Sequence, residues 1–106
     1  MKLGIILNTN VPETVWNAFH LSNEVLTEGK EAAMFLLGSG VEIGSIKDKT
    51  FDIAGALEKF LSSGGNLLAC GTCLGLRHQK ANICPISTMS ELVEIISDSD
   101  KVITFG

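Results

Sequence analysis

Gly64-Gly65-Asn66-Leu67-Leu68-Ala69-Cys70-Gly71-Thr72-Cys73-Leu74-Gly75-Leu76-Arg77-His78 is the stretch around which the chain is organised. Two glycines precede the apolar run Leu67 to Ala69 and Cys-Gly-Thr-Cys follows it, which predicts a buried strand ending where two thiols emerge. Leu74, Leu76 and Arg77 then suit a short helical turn. That turn places Cys70 and Cys73 near a helix N-terminus, where unpaired backbone N–H groups favour an anion. A free thiol titrates near about 8.5, so nucleophilic work at neutral pH calls for a helix end or a nearby cation to lower that value. Arg77, four residues beyond Cys73, is the candidate cation.

Upstream, Phe51 to Leu61 carries Phe51, Ile53, Ala54, Leu57, Phe60 and Leu61 at helical spacing, and Ser62-Ser63-Gly64-Gly65 stops that helix. Glu31 to Leu37 reads as a second strand leaving through Gly38-Ser39-Gly40, a flexible connection, and Val41 to Gly44 fits either a short strand or an extended loop piece. Lys2 to Asn8 is apolar without alternation, as expected of a strand covered on both faces. Asn10-Val11-Pro12-Glu13 matches a capping box with Asn10 as N-cap. It opens a helix from Pro12 to Glu28, ended by Gly29. Downstream, Asn82 to Ile86 is extended because Pro85 disfavours helix at Cys84. Thr88-Met89-Ser90-Glu91 is a second capping box that opens a helix through Ser97, and Lys101 to Phe105 is a final strand.

Strands alternating with helices predict a single α/β domain over residues 1–106, with right-handed crossovers and a mostly parallel sheet of about five strands. Sites in such sheets lie beyond the carboxyl ends of the strands. Asn8 to Asn10, Gly38 to Gly40 and Cys70 to Cys73 are therefore expected on one edge. Asn8, Asn10, Gly38, Gly40, Gly71 and Thr72 are the candidate ligand-binding positions there. No resident cofactor is expected, because Gly-x-Gly alone is a weak phosphate signal and no glycine-rich loop follows the first strand.

The 106 residues suffice for one core, and a hydrophobic fraction of 45% exceeds what one small core consumes, which points to contacts between subunits. The net charge of −4 exerts no global pull towards nucleic acid or an anionic membrane. Apolar runs such as Ala32 to Leu37 fall short of the roughly 20 residues a membrane span needs. Met1-Lys2 runs directly into a strand-like segment with no basic-then-apolar leader, so a cytoplasmic location is expected. Three cysteines, an odd number, suggest chemistry, metal or core packing rather than a disulfide framework.

Several chemistries compete for the thiols. Cys70, Cys73, His78 and Cys84 read C-x2-C-x4-H-x5-C, and all four are acceptable zinc ligands. Against zinc, Cys70 closes a strand and a domain with its own core folds without metal, so no metal is assigned. Dithiol redox work by C-x-x-C is another reading, although the motif lies two thirds along the chain rather than after a first central strand. The plain alternative is that small apolar thiols simply pack, which is the reading preferred for Cys84. His78 reads as solvated or packing, and His20, Trp16 and Phe19 as structural. A non-catalytic binding or regulatory subunit is the rival from another class.

Cys70-Gly71-Thr72-Cys73, Arg77, Ser87 to Leu92 and Asp98 to Phe105 together resemble the DsrE/DsrF-like family of small sulfur-relay proteins, and the likeness extends over essentially the whole chain. The resemblance implies a compact three-layer α/β/α fold and assembly as trimers or hexamers. It also implies persulfide sulfur carried on a cysteine between donor and acceptor proteins, with Cys70 as first candidate carrier, Cys73 as second thiol and Arg77 as electrostatic support. One departure stands out: the family often has Arg-Gly after the cysteine, whereas Arg77 is followed by His78.

Overall fold

The structure, a computed structural model, describes residues 1–79 and 83–106. Five strands, β1 (Lys2–Leu7), β2 (Glu31–Leu36), β3 (Asn66–Cys70), β4 (Ile86–Ser87) and β5 (Lys101–Phe105), form one sheet in the order β4-β3-β2-β1-β5. Every pairing is parallel, with Leu7 opposite Leu36 and Leu36 opposite Ala69. The strands alternate with helices α1 (Pro12–Thr27), α2 (Ile53–Ser62), α3 (Gly71–Leu76) and α4 (Met89–Asp98).

Side chains alternate between the two faces of a strand, and a parallel strand buried on both faces must be apolar at successive positions. Along β2, Ala32, Met34 and Leu36 join the larger core with Val15 and Phe19 of α1 and Leu57 and Phe60 of α2. Ala33 and Phe35 point the other way, into a smaller core closed by Leu92 and Ile95 of α4. The result is three layers of unequal thickness. Phe19 and Phe60 meet edge to face, 5.6 Å between ring centroids, and both are fully buried.

Local signals behaved as their chemistry dictates, with a few departures. Thr88 caps α4, its hydroxyl accepting from the Glu91 N–H at 3.3 Å, and Asp52 caps α2 by accepting from the Gly55 N–H at 3.0 Å. The expected Asn10 cap is corrected: Val11 is the N-cap of α1 and Pro12 its first residue, because the residue before proline stays extended, here at φ −66° and ψ 120°. The expected flexible connection at Gly38 to Gly40, and the undecided segment after it, instead form a 3-10 helix over Gly38–Ser45. Gly40 is buried there because a Cβ would collide with the Leu7 carbonyl oxygen. The extended reading of Asn82 to Ile86 is realised as strand only at Ile86–Ser87, and Asn82 lies outside the described residues.

Emptying the main core is expected to be costly. Phe60→Ala should lower unfolding free energy by about 3–5 kcal/mol, against about 1 kcal/mol for loss of the cap in Thr88→Ala, both read from urea denaturation.

Candidate functional site

The parallel sheet brings the ends of β1, β2 and β3 to one edge, so Asn8, Gly38 and the Cys70 to Cys73 segment share it. Cys70 is the last residue of β3 and the N-cap of α3, and strand alternation turns its side chain into the smaller core with Ala33, Phe35 and Leu68. It is only 3% exposed. The expectation that Cys70 presents its thiol to water is corrected on that ground. Cys73, in the first turn of α3, is half-buried and packs against both cores, at the seam between the layers. Of the two, Cys73 is the accessible thiol. The six residues of α3 make a short helix, so its end contributes a weaker field than a long helix would.

Gly71 is positioned for close approach, since a Cβ would stand 2.9 Å from Cγ2 of Ile86 in β4. Thr72 and Asn10 are exposed, and Asn8 is exposed with its N–H donated to the Phe105 carbonyl at 2.8 Å. Asn8 Oδ1 lies against Gly38, whose φ of +53° suits glycine, and an Arg77 Nη2 atom is 4.0 Å from where a Gly38 Cβ would be. Thus Asn8, Gly38 and Arg77 converge, while Asn10 does not join them in any contact among the described residues.

Arg77 has a partner that sequence reasoning missed. Its Nε lies 3.2 Å from Oε1 of Glu42, and the two side chains are 33% and 32% exposed. The candidate cation is therefore already engaged with an acid from the 3-10 helix. Glu42 is the only charged residue between Glu31 and Lys47, and that isolation was the available signal.

The end of α3 explains the departure at His78. The His78 N–H donates to Gly75 at 3.2 Å and the Gln79 N–H to Leu74 at 2.9 Å, with His78 at φ +51°. This is the Schellman arrangement, in which the residue after the C-cap adopts the left-handed conformation that favours glycine. Here histidine occupies that place.

Cys84 packs against the larger core, and burial raises its thiol from about 9 to about 11. It is a poor nucleophile at neutral pH. Among the described residues no group of three or more His, Cys, Asp and Glu side chains gathers at metal-binding spacing, so Cys70, Cys73, His78 and Cys84 do not assemble as a ligand set. A cavity of about 560 Å³ lies between the 3-10 helix and α2, lined by Ile43, Ile46, Leu57, Leu61 and Ile83. None of the candidate residues lines it. No helix among the described residues is long and apolar enough to cross a membrane.

An open parallel α/β sheet with a Cys-x-x-Cys at the carboxyl end of its third strand defines a class of small thiol-bearing domains. The chain belongs to the DsrE/DsrF-like family, whose model matches residues 1–105. It is 28% identical to the uncharacterized protein MJ0989 of Methanocaldococcus jannaschii, over 99% of this chain and all of that one. Among solved structures, the YchN protein of E. coli superposes with a TM-score of 0.87 at 22% identity, covering 99% of each chain. MTH1491 of Methanobacterium thermoautotrophicum, a protein of unknown function, superposes at 0.77 with 10% identity and 97% of each chain covered. At these identities the structures establish the shared fold.

Two outcomes follow from the loop geometry and the buried thiol. His78→Gly is expected to raise stability by up to about 1 kcal/mol, by relieving left-handed strain, in urea denaturation. For Cys84 the folded thiol holds its proton more tightly than the unfolded one, so its contribution is intact below about 9 and is lost as pH rises to about 11. The destabilisation caused by Cys84→Ala, measured by denaturation at pH 8 and at pH 11, should therefore narrow at the higher pH.

Proposed function

We propose that this protein is a small cytoplasmic persulfide carrier, one DsrE-like domain that takes sulfur from a donor protein and yields it to an acceptor. Membership of the sulfur-relay family supplies the context. The observation that carries the reading is the placement of a half-buried Cys73 one helical turn beyond a buried Cys70, at the carboxyl edge of the sheet.

The Cys73 thiolate attacks the outer sulfur of a donor persulfide. The donor's S–S bond breaks, the donor leaves as a thiolate and takes a proton, and Cys73 becomes the persulfide. An acceptor thiolate repeats the attack and returns Cys73 to a thiolate, so no net oxidation occurs. Exchange of this kind needs an accessible, partly ionised sulfur and no general acid held in a deep pocket. Cys70 stands behind as second thiol. Its attack on the inner sulfur of Cys73 releases hydrosulfide and leaves a disulfide, the dithiol outcome.

Copies of this chain are assigned to the apolar strip of α4, where Met89, Val93 and Ile96 recur at helical spacing and are 52%, 60% and 44% exposed. A trimer or hexamer is the assembly the family implies. Val93→Lys should lower the mass in solution seen by light scattering, and an unchanged mass places the contact elsewhere.

The function is tested by mass spectrometry after incubation with a low-molecular-weight persulfide. One added sulfur is expected on the wild type and on Cys70→Ala, and none on Cys73→Ala. Loss in Cys70→Ala with retention in Cys73→Ala moves the carrier to Cys70. No adduct on any of the three proteins removes the carrier reading and favours a binding module using the apolar cavity.

A further inference from the structure

α2 carries two apolar flanks. Ile53, Ala56 and Phe60 pack into the larger core. Ala54, Leu57, Glu58, Leu61 and Ser62 recur at the three- and four-residue spacing of one helical face, and that face lines the cavity beside the 3-10 helix. Across the gap stand Ile43, which is buried, and Ile46, which is half-buried. Ile83 meets the 3-10 helix at Gly44, where a Cβ would stand 3.4 Å from the Ile83 Cγ2. The space so enclosed is about 560 Å³. That falls within the roughly 300–1,000 Å³ of small-molecule sites, which are mostly apolar with a few placed polar groups. It opens to water, since Leu61 in its wall is 41% exposed.

The polar groups of this lining favour a cation. Glu58 is its one charged residue, and among the described residues that carboxylate makes no ion pair. The Ser62 hydroxyl donates to the Lys59 carbonyl at 3.2 Å, so its oxygen remains an acceptor. Both residues belong to the C-terminal half of α2, the end at which the peptide dipoles favour positive charge. Lys47 and Lys59, the chain neighbours of Ile46 and Glu58, are not part of the lining, and Lys59 lines a separate hollow with Trp16 and His20. We propose that the cavity beside α2 binds a small organic amine, its aryl or alkyl body against the isoleucines and leucines and its protonated head at Glu58 and Ser62. The apolar body supplies most of the affinity and the head sets the orientation. A carboxylate of the same shape would bring like charges together at Glu58. The inference stands apart from the thiol edge and does not rest on the carrier reading.

The test compares three probes of one shape, phenethylamine, phenethyl alcohol and hydrocinnamate, by ligand-observed NMR titration of the full chain at neutral pH. The amine is expected to bind most tightly and the carboxylate least. Glu58→Gln should weaken the amine by about two- to fivefold, the range for a solvent-facing ion pair, and leave the alcohol unchanged. Ala54→Phe places a ring in the cavity from an exposed helical position and should abolish binding of all three. Far-UV circular dichroism and urea denaturation establish that each variant is folded. An amine that binds no better than the alcohol, a preference that survives Glu58→Gln, or binding that persists in Ala54→Phe overturns the proposal. So does failure of all three probes to bind, and a solution mass lowered by Ala54→Phe in light scattering would then assign the cavity to a contact between copies.

Discussion

Burial of the central strands on both faces is the constraint from which the rest of the molecule follows. β1, β2 and β3 have no wet side, so they are apolar almost throughout, and each needs a helical layer above and below. One layer is thick, with α1 and α2 packed against each other and against the sheet. The other is thin, a single ten-residue helix that leaves its own outer stripe bare. This asymmetry has a chemical effect. Cys70 falls on the thin side by strand alternation and is sealed under α4, whereas Cys73 emerges at the seam.

A parallel sheet also sends all its strand ends one way. The edge so formed is built from short connections that pass close to one another, which is why Gly40 and Gly71 have no room for a side chain. Arg77 and Glu42 pair there. In the sulfur exchange proposed above, the attacking and leaving groups are both thiolates, so the protein has only to present one sulfur. The apolar cavity beside α2 shares no candidate residue with that edge.

Much of the fold was legible because its signals are local or periodic. The apolar runs at Lys2 to Leu7, Glu31 to Leu36 and Leu67 to Ala69 are too short for buried helices and lack the alternation of a half-wet sheet. The capping residue Thr88 and the stop at Gly29 likewise act within a few bonds. The misreadings arose from a distant contact in one case and from local backbone geometry in another. Gly38 to Gly40 looked loose because glycine alone suggests freedom, yet Gly40 is pinned by the Leu7 carbonyl from another strand. His78 looked like an ordinary surface histidine, since nothing in its neighbours reveals that the backbone there turns left-handed.

By itself, the sequence determined the order of strands and helices, the parallel sheet and the thiol pair at a strand end, because backbone preference and apolar spacing act over short stretches of chain. Tertiary structure alone decided which thiol meets solvent and that Arg77 is paired with Glu42. Burial depends on which layer a strand face receives, and an ion pair depends on a distance through space between residues 35 apart in the chain; neither quantity is written in local composition.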